Sequence, residues 1–366
     1  MNHEGLRTWI EIDTKAIKHN YDVFRSLVSG DTKLCGVVKS NAYGHDFMQY
    51  ARELEKIGVD WIAVDSITEG VRLRKEGIEK PILILGYTLP ERMKEAVEYH
   101  LSMMISTFEN LEAVQESSDA KIHIKLDTGM SRQGFQESDK EKLFTFLKEN
   151  SMSVEGVFTH FASAKNPALP HDTQKQIKSF KKWKEDFEQD GYDSIFHAAA
   201  TSGALLFPEA HFNMVRIGVG LYGLWPSHEA KEFLDGKADL KPALTWKTVI
   251  SEVKKVKAGN KVGYDGTETL EKDSILAIIP MGYWHGYSRK LSGIGKMYVH
   301  GKKVRVVGRV SMDMIIIDVT DVDVKVGDEV ELLGEHISTY DMASWDDTSW
   351  YETVTRINPL IKRIFI

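Results

Sequence analysis

The sequence of 366 residues is long enough for two domains, at about 150 residues per domain. Hydrophobic residues make up 42% and charged residues 28%, which is typical of a globular protein and excludes a disordered or collagen-like chain. The net charge of -7 gives no electrostatic reason to bind nucleic acid or an anionic membrane, so neither is expected as a partner.

The single cysteine, Cys35, excludes an intrachain disulfide and a cysteine-based metal cage, and no HExxH motif occurs, so no metal is expected. The N-terminus lacks the basic and apolar regions of a secretory signal. The longest apolar runs, at residues 275–280 and 314–317, are far shorter than the roughly 20 residues that span a bilayer. We therefore expect a cytoplasmic protein without a membrane segment.

Short apolar runs alternate with helical stretches from about residue 33 to residue 225. The candidate strands are, in order, LCGVVKS, DWIAVDS, KPILILG, LSMMIS, KIHIKLDT, VEGVFTH, SIFHAAA and NMVRIGVGLYG. Between them lie stretches rich in helix formers, such as FMQYARELEKIG and TQKQIKSFKKWKEDFEQDG. About eight such units over roughly 200 residues predict an α/β fold of the TIM-like (β/α)8 barrel type. An open doubly wound sheet would alternate in the same way.

From about residue 240 the pattern changes to alternating, β-branched runs: LTWKTVISEVKKV, SILAIIPMG, KMYVHGKKVRVVGRV, MIIIDVTDV and DEVELLG. These predict a mostly β C-terminal domain. The turns at residues 299–302 and 326–328 carry the glycine that tight hairpins need. We place the barrel at residues 14–236 and the β domain at 237–366, and we expect residues 1–13, which include the strand TWIEID, to pair with the β domain.

The fifth predicted barrel strand alternates between apolar and polar residues. Because the apolar side should face the helices, Lys121, His123, Lys125 and Asp127 are expected to point into the barrel. Buried charges need partners or a function. An internal ion pair between Lys125 and Asp127 is the purely structural alternative.

Lys39 follows the first barrel strand, on the carboxyl-terminal face where barrels hold active sites. A lysine whose amine pKa is lowered there can form a Schiff base with an aldehyde cofactor, whereas a surface lysine that caps a turn is the alternative. Other polar residues at or just beyond strand ends are Tyr43, Asp65, Arg132, His160, His197 and Thr201.

Arg216 lies inside the apolar run MVRIGVG, where an unpaired guanidinium is costly, so it must meet an acceptor. The following segment, GVGLYG, matches the dinucleotide-binding pattern by letter, but no βαβ unit begins there. We interpret its backbone N–H groups as a cradle for a single phosphate, which barrels often hold after the last strand.

Seven motifs occur in order along the barrel and the β domain: VVKSNAYGHD, IKLDTGMSRQG, GVFTHFAS, VRIGVGLYG, VGYDGTET, MGYWHGYSR and GRVSMD. Together they resemble the alanine racemase family almost from end to end. The resemblance implies a barrel that binds pyridoxal 5'-phosphate (PLP), a C-terminal β domain, and interconversion of L- and D-alanine that supplies D-alanine for peptidoglycan.

The resemblance also implies two catalytic bases. Lys39 would bind the cofactor covalently and act as one base, and Tyr264 in VGYDGTET would be the other. Two bases are needed because the α-proton leaves one face of the substrate and returns on the opposite face. In the family this tyrosine comes from the β domain of the second subunit, so a homodimer with shared active sites is implied.

The remaining positions match residues that bind cofactor or substrate in the family. Arg216 would hydrogen-bond the pyridine nitrogen, oriented by His160, with His197 as a weaker candidate. The phosphate would be bound by Tyr43, Thr201, Tyr351 and the backbone of Gly218 and Val219.

Substrate recognition is implied for four further positions. Arg132 would contact the phenolic oxygen of the cofactor and the substrate carboxylate. Met312 would bind that carboxylate through its backbone N–H, with Asp313 behind it, and Tyr283 would line the substrate entrance. Lys125 matches a lysine that is carbamylated in many members and positions Arg132; an unmodified lysine is the alternative.

Three positions depart from the common pattern of the family. Ala200, Ile217 and Ser311 stand where asparagine, proline and cysteine are frequent, which leaves the geometry of the phosphate and substrate sites open. The nearest rival is a serine racemase of the same family, although Tyr351 favours alanine by filling space near the substrate side chain.

Other rivals fit less of the sequence. A non-catalytic PLP-binding barrel protein would lack the β domain and Tyr264, and a decarboxylase would need a different carboxylate site. A barrel glycosidase could use Asp65 and Asp127 as its carboxylates, but no set of aromatic sugar platforms accompanies them.

Overall fold

The computed structural model of the protein describes residues 3–366, whose contacts divide them into two units. The barrel unit comprises Lys15–Ala42 and Phe47–Lys241. The β unit comprises the described residues up to Thr14, the short segment Tyr43–Asp46, and Pro242–Ile366. The domain boundary that we expect between residues 236 and 237 stays a prediction. Met1 and Asn2, which belong to the predicted segment 1–13, lie outside the described residues.

The strands are β1 (Thr8–Ile12), β2 (Lys33–Val37), β3 (Trp61–Val64), β4 (Ile82–Ile84), β5 (Leu101–Ile105), β6 (Lys121–Lys125), β7 (Gly156–Phe158), β8 (Ile195–His197), β9 (Met214–Ile217), β10 (Leu244–Val249), β11 (Glu252–Val256), β12 (Lys261–Val262), β13 (Glu268–Thr269), β14 (Ser274–Ile279), β15 (Lys296–Val299), β16 (Lys302–Arg305), β17 (Ile315–Asp318), β18 (Glu329–Leu333) and β19 (Lys362–Phe365). The helices are α1 (Thr14–Leu27), α2 (Lys39–Tyr43), α3 (Phe47–Ile57), α4 (Ile67–Lys75), α5 (Met93–Glu98), α6 (Phe108–Val114), α7 (Lys140–Glu149), α8 (His171–Gln189), α9 (Thr201–Leu206), α10 (His228–Phe233), α11 (Thr339–Asp346) and α12 (Trp350–Thr355). Short 3₁₀ helices cover Pro90–Arg92, Glu137–Asp139, Pro208–Ala210, Tyr264–Gly266, Tyr283–His285 and Arg289–Leu291.

The barrel unit contains one sheet of parallel strands in the order β8-β7-β6-β5-β4-β3-β2-β9. Two backbone hydrogen bonds bridge its outer strands, from Asn213 N–H to the Phe196 carbonyl (3.0 Å) and from Arg216 N–H to the Ala199 carbonyl (2.9 Å). The sheet is therefore a nearly closed barrel, as predicted, and each of the candidate strands forms where it was expected. The open-sheet alternative is wrong.

Three helices of the barrel unit, α4, α6 and α10, begin at a hydroxyl side chain that accepts a hydrogen bond from the first turn: Ser66, Thr107 and Ser227. Ser66 accepts a hydrogen bond from the backbone N–H of Glu69, and the Glu69 carboxylate accepts one from the Ser66 N–H, so the pair forms a capping box. Helix α8 buries Ile177, Phe180 and Phe187, at the three- and four-residue intervals or their multiples that place side chains on one face.

The β unit contains a six-stranded sheet in the order β16-β15-β18-β10-β1-β19, in which β1 lies between β10 and β19. His300 and Gly301 join β15 to β16 with φ values of 43° and 83°, as a type I′ hairpin turn requires. The expected hairpin at residues 326–328 is wrong, because β17 pairs with β14 in a separate sheet while β18 pairs with β10 and β15.

The β unit also contains two helices, α11 and α12, which the strand-like patterning did not predict. Their sequences begin at Ser338 and Ser349, whose hydroxyls accept hydrogen bonds from backbone N–H groups of the first turn. Among residues 3–366, no helix is both long and apolar enough to cross a membrane.

Candidate active site

Lys39 lies two residues beyond the end of strand β2 and begins a turn with left-handed backbone geometry. Residues 40–43 all have φ between 49° and 56°. Left-handed conformations cost roughly 1–2 kcal/mol per non-glycine residue, so the turn must be held by other contacts. Glu69 provides one of them, because its Oε1 accepts a hydrogen bond from the Ser40 N–H at 2.9 Å.

The same glutamate organises the neighbouring strand end. Its second carboxylate oxygen accepts from the Asp65 N–H at 2.8 Å, and Lys39 Nζ donates to Asp65 Oδ1 at 3.0 Å. The Lys39 side chain is 37% exposed. The barrel unit thus presents an accessible amine at the carboxyl end of β2, on a backbone fixed by Glu69.

Arg216 lies on strand β9 and is 3% exposed. Its terminal nitrogens donate to His197 Nδ1 at 2.7 Å and to the backbone carbonyls of Thr159 and Ala198 at 2.8 and 3.1 Å. A longer contact of 3.5 Å reaches His160 Nδ1. His197 therefore makes the shorter contact, the reverse of the expected order. Within residues 3–366 the remaining nitrogen, Nε, has no hydrogen-bond acceptor.

The two histidines beside Arg216 are held neutral. Burial, and then the charge of Arg216, lower the pKa of His160 to about 2 and the pKa of His197 well below its usual value. Burial also lowers the pKa of Arg216 to about 10, which still leaves it protonated at neutral pH. The lumen therefore contains one fixed cation surrounded by neutral acceptors.

The polar side of strand β6 is only partly buried. His123 and Lys125 lie in the interior at 0% and 5% exposure. The expectation that Lys121 points into the lumen is wrong, because it is the first residue of β6 and is exposed at the open end of the strand. Asp127 is not the partner of Lys125, because its carboxylate accepts four backbone N–H groups of the following loop, from Gly129 to Arg132.

Lys125 is a buried amine without a carboxylate partner. Its Nζ lies 4.5 Å from the centre of the Phe158 ring, and no carboxylate of the described chain approaches it within 4.0 Å. Burial, and then the charges of Arg216 and Arg132, lower the pKa of Lys125 well below its usual value. The alternative of an ion pair with Asp127 is therefore wrong, and the surroundings of Lys125 disfavour its protonated form. Arg132 itself is exposed on the loop that Asp127 shapes.

The segment after strand β9 contains backbone N–H groups beside Thr201. The Thr201 hydroxyl accepts from the N–H groups of Gly218 (3.2 Å) and Gly220 (3.3 Å). The N–H of Val219 has no acceptor in the part of the chain that the structure describes, although Val219 is only 2% exposed. A buried N–H group without a partner is costly, so this position suits an anionic ligand atom.

In the β unit, two tyrosines from distant parts of the chain lie near each other. The ring centres of Tyr43 and Tyr351 are 6.4 Å apart. Arg363, which is buried, donates to the Gly44 carbonyl at 3.1 Å through Nε and at 3.0 Å through a terminal nitrogen, which holds the Tyr43 segment against the C-terminal strand. Burial, and then Tyr43, raise the pKa of Tyr351, so the Tyr351 phenol keeps its proton.

Tyr264 lies on an exposed loop of the β unit. It is 66% exposed and follows Gly263, whose φ of 71° favours glycine. The next residue, Asp265, lies 3.5 Å from Arg309 Nε, which ties the loop to the segment preceding Met312. Because the loop is held in place, the Tyr264 phenol can contact a bound molecule without a movement of the backbone.

Tyr283 and Met312 are brought together by a close approach of two backbone segments. Tyr283 N–H donates to the Ser311 carbonyl at 3.0 Å, and a Cβ atom at Gly282 would lie 2.1 Å from that carbonyl oxygen. Only glycine fits there. Met312 is 54% exposed, and within the described residues its N–H has no acceptor, so it can bind a carboxylate.

Sequence reasoning identified Lys39, Arg216 and the tyrosines but missed Glu69. The spacing from Ser66 to Glu69 is that of a capping box, and it was the one sequence pattern that could have indicated Glu69. Only the fold shows that the carboxylate also accepts a hydrogen bond from Ser40. Among residues 3–366, no group of three or more His, Cys, Asp or Glu side chains is arranged to hold a metal ion.

Comparison with known proteins agrees with this arrangement. The family model described as alanine racemase, N-terminal domain, matches residues 12–226, and the C-terminal domain model matches residues 243–365. The chain is 36% identical to a protein named alanine racemase from Desulforamulus reducens, over 98% of each chain. It is also 36% identical to one from Methanococcus maripaludis, again over 98% of each chain.

Solved structures give the same result. The structure of alanine racemase from Clostridium difficile matches with a TM-score of 0.93 at 33% identity, covering 99% of this chain and 96% of that one. The structure of alanine racemase from Bacillus anthracis with bound L-Ala-P matches with a TM-score of 0.92 at 34% identity, covering 98% of this chain and 95% of that one. Both domain models and full-length relatives therefore agree, and the chain belongs to the alanine racemase family.

Proposed function

We propose that the chain interconverts L- and D-alanine, as an isomerase that uses pyridoxal 5'-phosphate and two bases, Lys39 and Tyr264. The observation that carries the proposal is the buried Arg216, whose Nε has no protein acceptor, in the same unit as the accessible amine of Lys39. No observation favours serine as the substrate.

The residues present fit this cofactor at three chemically distinct points. The Lys39 amine suits its aldehyde, the free Nε of Arg216 suits its ring nitrogen, and the unpartnered Val219 N–H with the Thr201 hydroxyl suits its phosphate. Gly218, also expected to bind the phosphate, already donates its N–H to Thr201. When bound, the cofactor supplies an aldehyde that captures amines and a conjugated ring that accepts electrons from the adjacent carbon.

Arg216 controls the protonation of its ligand. An arginine has donors only, and with a pKa of about 10 it keeps its proton at neutral pH. It therefore donates a hydrogen bond through Nε without transferring a proton. A carboxylic acid in its place could transfer its proton to the ring nitrogen, which would make the ring a stronger electron acceptor. The guanidinium would therefore keep the ring a weaker electron acceptor.

The two bases move one proton each. One of Lys39 and Tyr264 takes the α-proton from one face of the substrate, and the other delivers a proton to the opposite face. Reversing the roles converts the other enantiomer. The Met312 N–H and Arg132 would hold the substrate carboxylate and thereby fix which face each base meets, while Tyr283 would line the entrance. Tyr43 and Tyr351 would donate their phenolic hydrogens to the phosphate.

We also propose that Lys125 is carbamylated. The unprotonated amine attacks carbon dioxide, the new N–C bond forms, and one proton leaves, so that a neutral amine becomes an anionic carbamate. Burial and the cations Arg216 and Arg132 favour this change, because they disfavour a protonated lysine and attract an anion. The carbamate would then pair with Arg132 and position it.

The active unit is proposed to be a homodimer with shared sites. Tyr264, Tyr283 and Met312 are all exposed in the β unit, at 66%, 42% and 54%. Exposed large apolar side chains of this kind suit an interface with another chain. In the dimer, Tyr264 of the partner subunit would act beside Lys39. A cytoplasmic location and a role in supplying D-alanine for peptidoglycan stay predictions.

Covalent trapping tests the cofactor assignment. Borohydride reduction of the protein loaded with PLP, followed by peptide mass spectrometry, should place the cofactor on Lys39, and Lys39→Ala should lose both the label and racemisation of alanine. Label on another lysine would contradict the assignment. Mixed dimers of Lys39→Ala and Tyr264→Ala chains should regain part of the activity, since one of their two sites is intact; verified mixed dimers that stay inactive would contradict shared sites.

A further inference from the structure

A chain of hydrogen bonds extends from Arg216 through the barrel interior to a carboxylate. Arg216 contacts His197 Nδ1 at 2.7 Å, His197 Nε2 lies 2.9 Å from His123 Nδ1, and His123 Nε2 lies 3.2 Å from Glu155 Oε2. His123 and His197 are both 0% exposed, whereas the Glu155 side chain is 25% exposed. The proposed catalytic steps use none of the last three groups.

The chemistry of arginine fixes the direction of every bond in this chain. Arginine only donates, so His197 Nδ1 must accept and the single proton of neutral His197 must be on Nε2. His197 Nε2 then donates, so His123 Nδ1 must accept, and the proton of His123 must be on Nε2. That proton can only be donated to Glu155, which must accept as a carboxylate.

Glu155 is suited to be the end of the chain. It precedes the first residue of strand β7, while Arg216 lies on β9, so the chain crosses the lumen between strands. Its carboxylate also accepts from the Ser102 hydroxyl. Burial raises the pKa of Glu155, but the hydrogen bonds from His123 and Ser102, together with the charge interactions with His123 and Lys121, leave the pKa below its usual value. The group is therefore an anion at neutral pH.

The residues packed around His123 hold its ring in the orientation that reaches both His197 and Glu155. A Cβ atom at Gly156 would lie 2.3 Å from His123 Nδ1 and 2.4 Å from its Cε1. Any other residue at position 156 would displace the ring from both of its partners. The ring of Phe158 stacks on His197 with centres 4.8 Å apart and planes 4° apart, which fixes the second histidine as well.

We propose that Glu155 is a remote positioning residue for racemisation: through His123 and His197 it holds the orientation of Arg216. The proposal rests on the proposed function, because it assigns Arg216 the contact with the cofactor ring. Glu155 touches neither substrate nor cofactor in this scheme. Its charge polarises the chain of hydrogen bonds toward Arg216, and its removal leaves the buried Nε2–H of His123 without an acceptor.

The test reads the proton positions directly. In the full-length protein loaded with PLP, long-range proton–nitrogen correlation spectra of isotope-labelled histidine, assigned with His123→Gln and His197→Gln, should show both rings neutral with the proton on Nε2. Glu155→Leu removes the acceptor of the His123 Nε2 proton and should shift the nitrogen resonances of that ring, while the bond from His197 keeps the proton on Nε2. Glu155→Gln keeps an acceptor oxygen without the charge and should keep the tautomers. Glu149→Leu changes an exposed glutamate at the end of α7 and is the matched control.

Kinetics provide the second readout. For Glu155→Leu we expect kcat to fall roughly tenfold, the scale of one lost hydrogen bond to a charged group, with KM for alanine little changed and the absorption of the bound cofactor shifted. Glu149→Leu should match the unmodified protein. If Glu155→Leu does not fold, the unmodified protein still decides the question, because a proton on Nδ1 of either ring or an imidazolium at His123 would overturn the proposal.

Failure of the two proposals can be told apart. An unmodified protein that does not racemise alanine contradicts the proposed function, whatever the histidine spectra show. A protein that is active and loaded with cofactor, but in which Glu155→Leu changes neither the His123 resonances nor kcat, contradicts only the role of Glu155.

Discussion

The candidate residues of the barrel unit and those of the β unit differ in how they are held. Arg216 and Lys125 in the barrel are 3% and 5% exposed, and Arg216 has four polar contacts. In the β unit, Tyr264 and Met312 are 66% and 54% exposed. The barrel residues are fixed by their own unit, whereas those of the β unit are fixed through the backbone and leave their side chains free.

This difference indicates a division of labour. A buried, fully oriented cation suits a permanent cofactor, because its geometry must not change between turnovers. Exposed side chains on fixed loops suit residues that complete a site on another chain. Changes in the barrel unit should therefore affect cofactor binding and stability, and changes in the β unit should affect turnover or substrate affinity while cofactor binding is retained.

The largest effect is expected for Tyr264→Phe. Removing the phenolic proton removes one of the two bases, so kcat should fall by roughly a hundredfold to ten-thousandfold, the usual contribution of an acid or base. The exposed position of Tyr264 predicts that folding and cofactor content stay unchanged. Racemisation followed by circular dichroism, together with the absorption of bound cofactor, measures both. Near-normal turnover would remove Tyr264 from the mechanism, and loss of cofactor would contradict the division between the units.

Glu69→Gln tests the turn that follows Lys39. The Glu69 carboxylate now accepts hydrogen bonds from two backbone segments, one on each oxygen. An amide would point its NH₂ group at one of these N–H donors. Hydrogen bonds to a charged group are worth about 1.5–3 kcal/mol each, and the substitution weakens them. We expect a lower free energy of unfolding and slower covalent capture of PLP, measured by urea titration and by absorption. Glu112→Gln, on the exposed face of α6, is the control. Equal capture rates in the two variants would show that Glu69 does not hold the turn.

Gly282→Ala tests the β unit without touching a functional side chain. The added Cβ would lie 2.1 Å from the Ser311 carbonyl oxygen, so the segment carrying Met312 must move. Overpacking of this kind costs about 1–3 kcal/mol, and we expect KM for alanine to rise while cofactor affinity stays the same. Gly30→Ala adds a methyl group where nothing lies within 4 Å and should leave both unchanged. A change in cofactor affinity without a change in KM would reverse the assignment of the two units.

The sequence predicted the barrel well because its signals are local. Each of its strands is a short apolar run between helical stretches, and alternation placed His123 and Lys125 in the lumen correctly. It failed where the outcome depends on the ends of elements or on distant partners. Lys121 lies at an open strand end, and the sheet to which β18 belongs is decided by β10, far away in the sequence.

The candidate site was predictable to a lesser extent. Lys39 and Arg216 stand out as a lysine at a strand end and a charge in an apolar run. The link from Glu69 to Ser40 spans 29 residues, and the link from His123 to His197 spans 74. Hydrogen bonds between side chains and segments that only the folded barrel brings together leave no periodic pattern in the sequence, so only the fold reveals them.

The smallest effect is expected in the pH dependence of stability, and its sign follows from the buried histidines of the barrel. Burial and Arg216 lower the pKa of His160 to about 2 and that of His197 well below its usual value, whereas a histidine in the unfolded chain has a pKa of about 6.5. Below that value the unfolded chain binds protons that the folded chain does not.

The free energy of unfolding should therefore fall as the pH decreases below about 6.5, by up to about 1.4 kcal/mol per pH unit for each such histidine. Urea titrations between pH 7.5 and pH 5 should give a shallower slope for His160→Gln than for the unmodified protein, because one of the histidines is then missing. His171→Gln, at a histidine whose side chain is 77% exposed, should keep the original slope. If all three slopes were parallel, His160 would be free to protonate in the folded chain, and the barrel would not hold its polar groups more tightly than the β unit does.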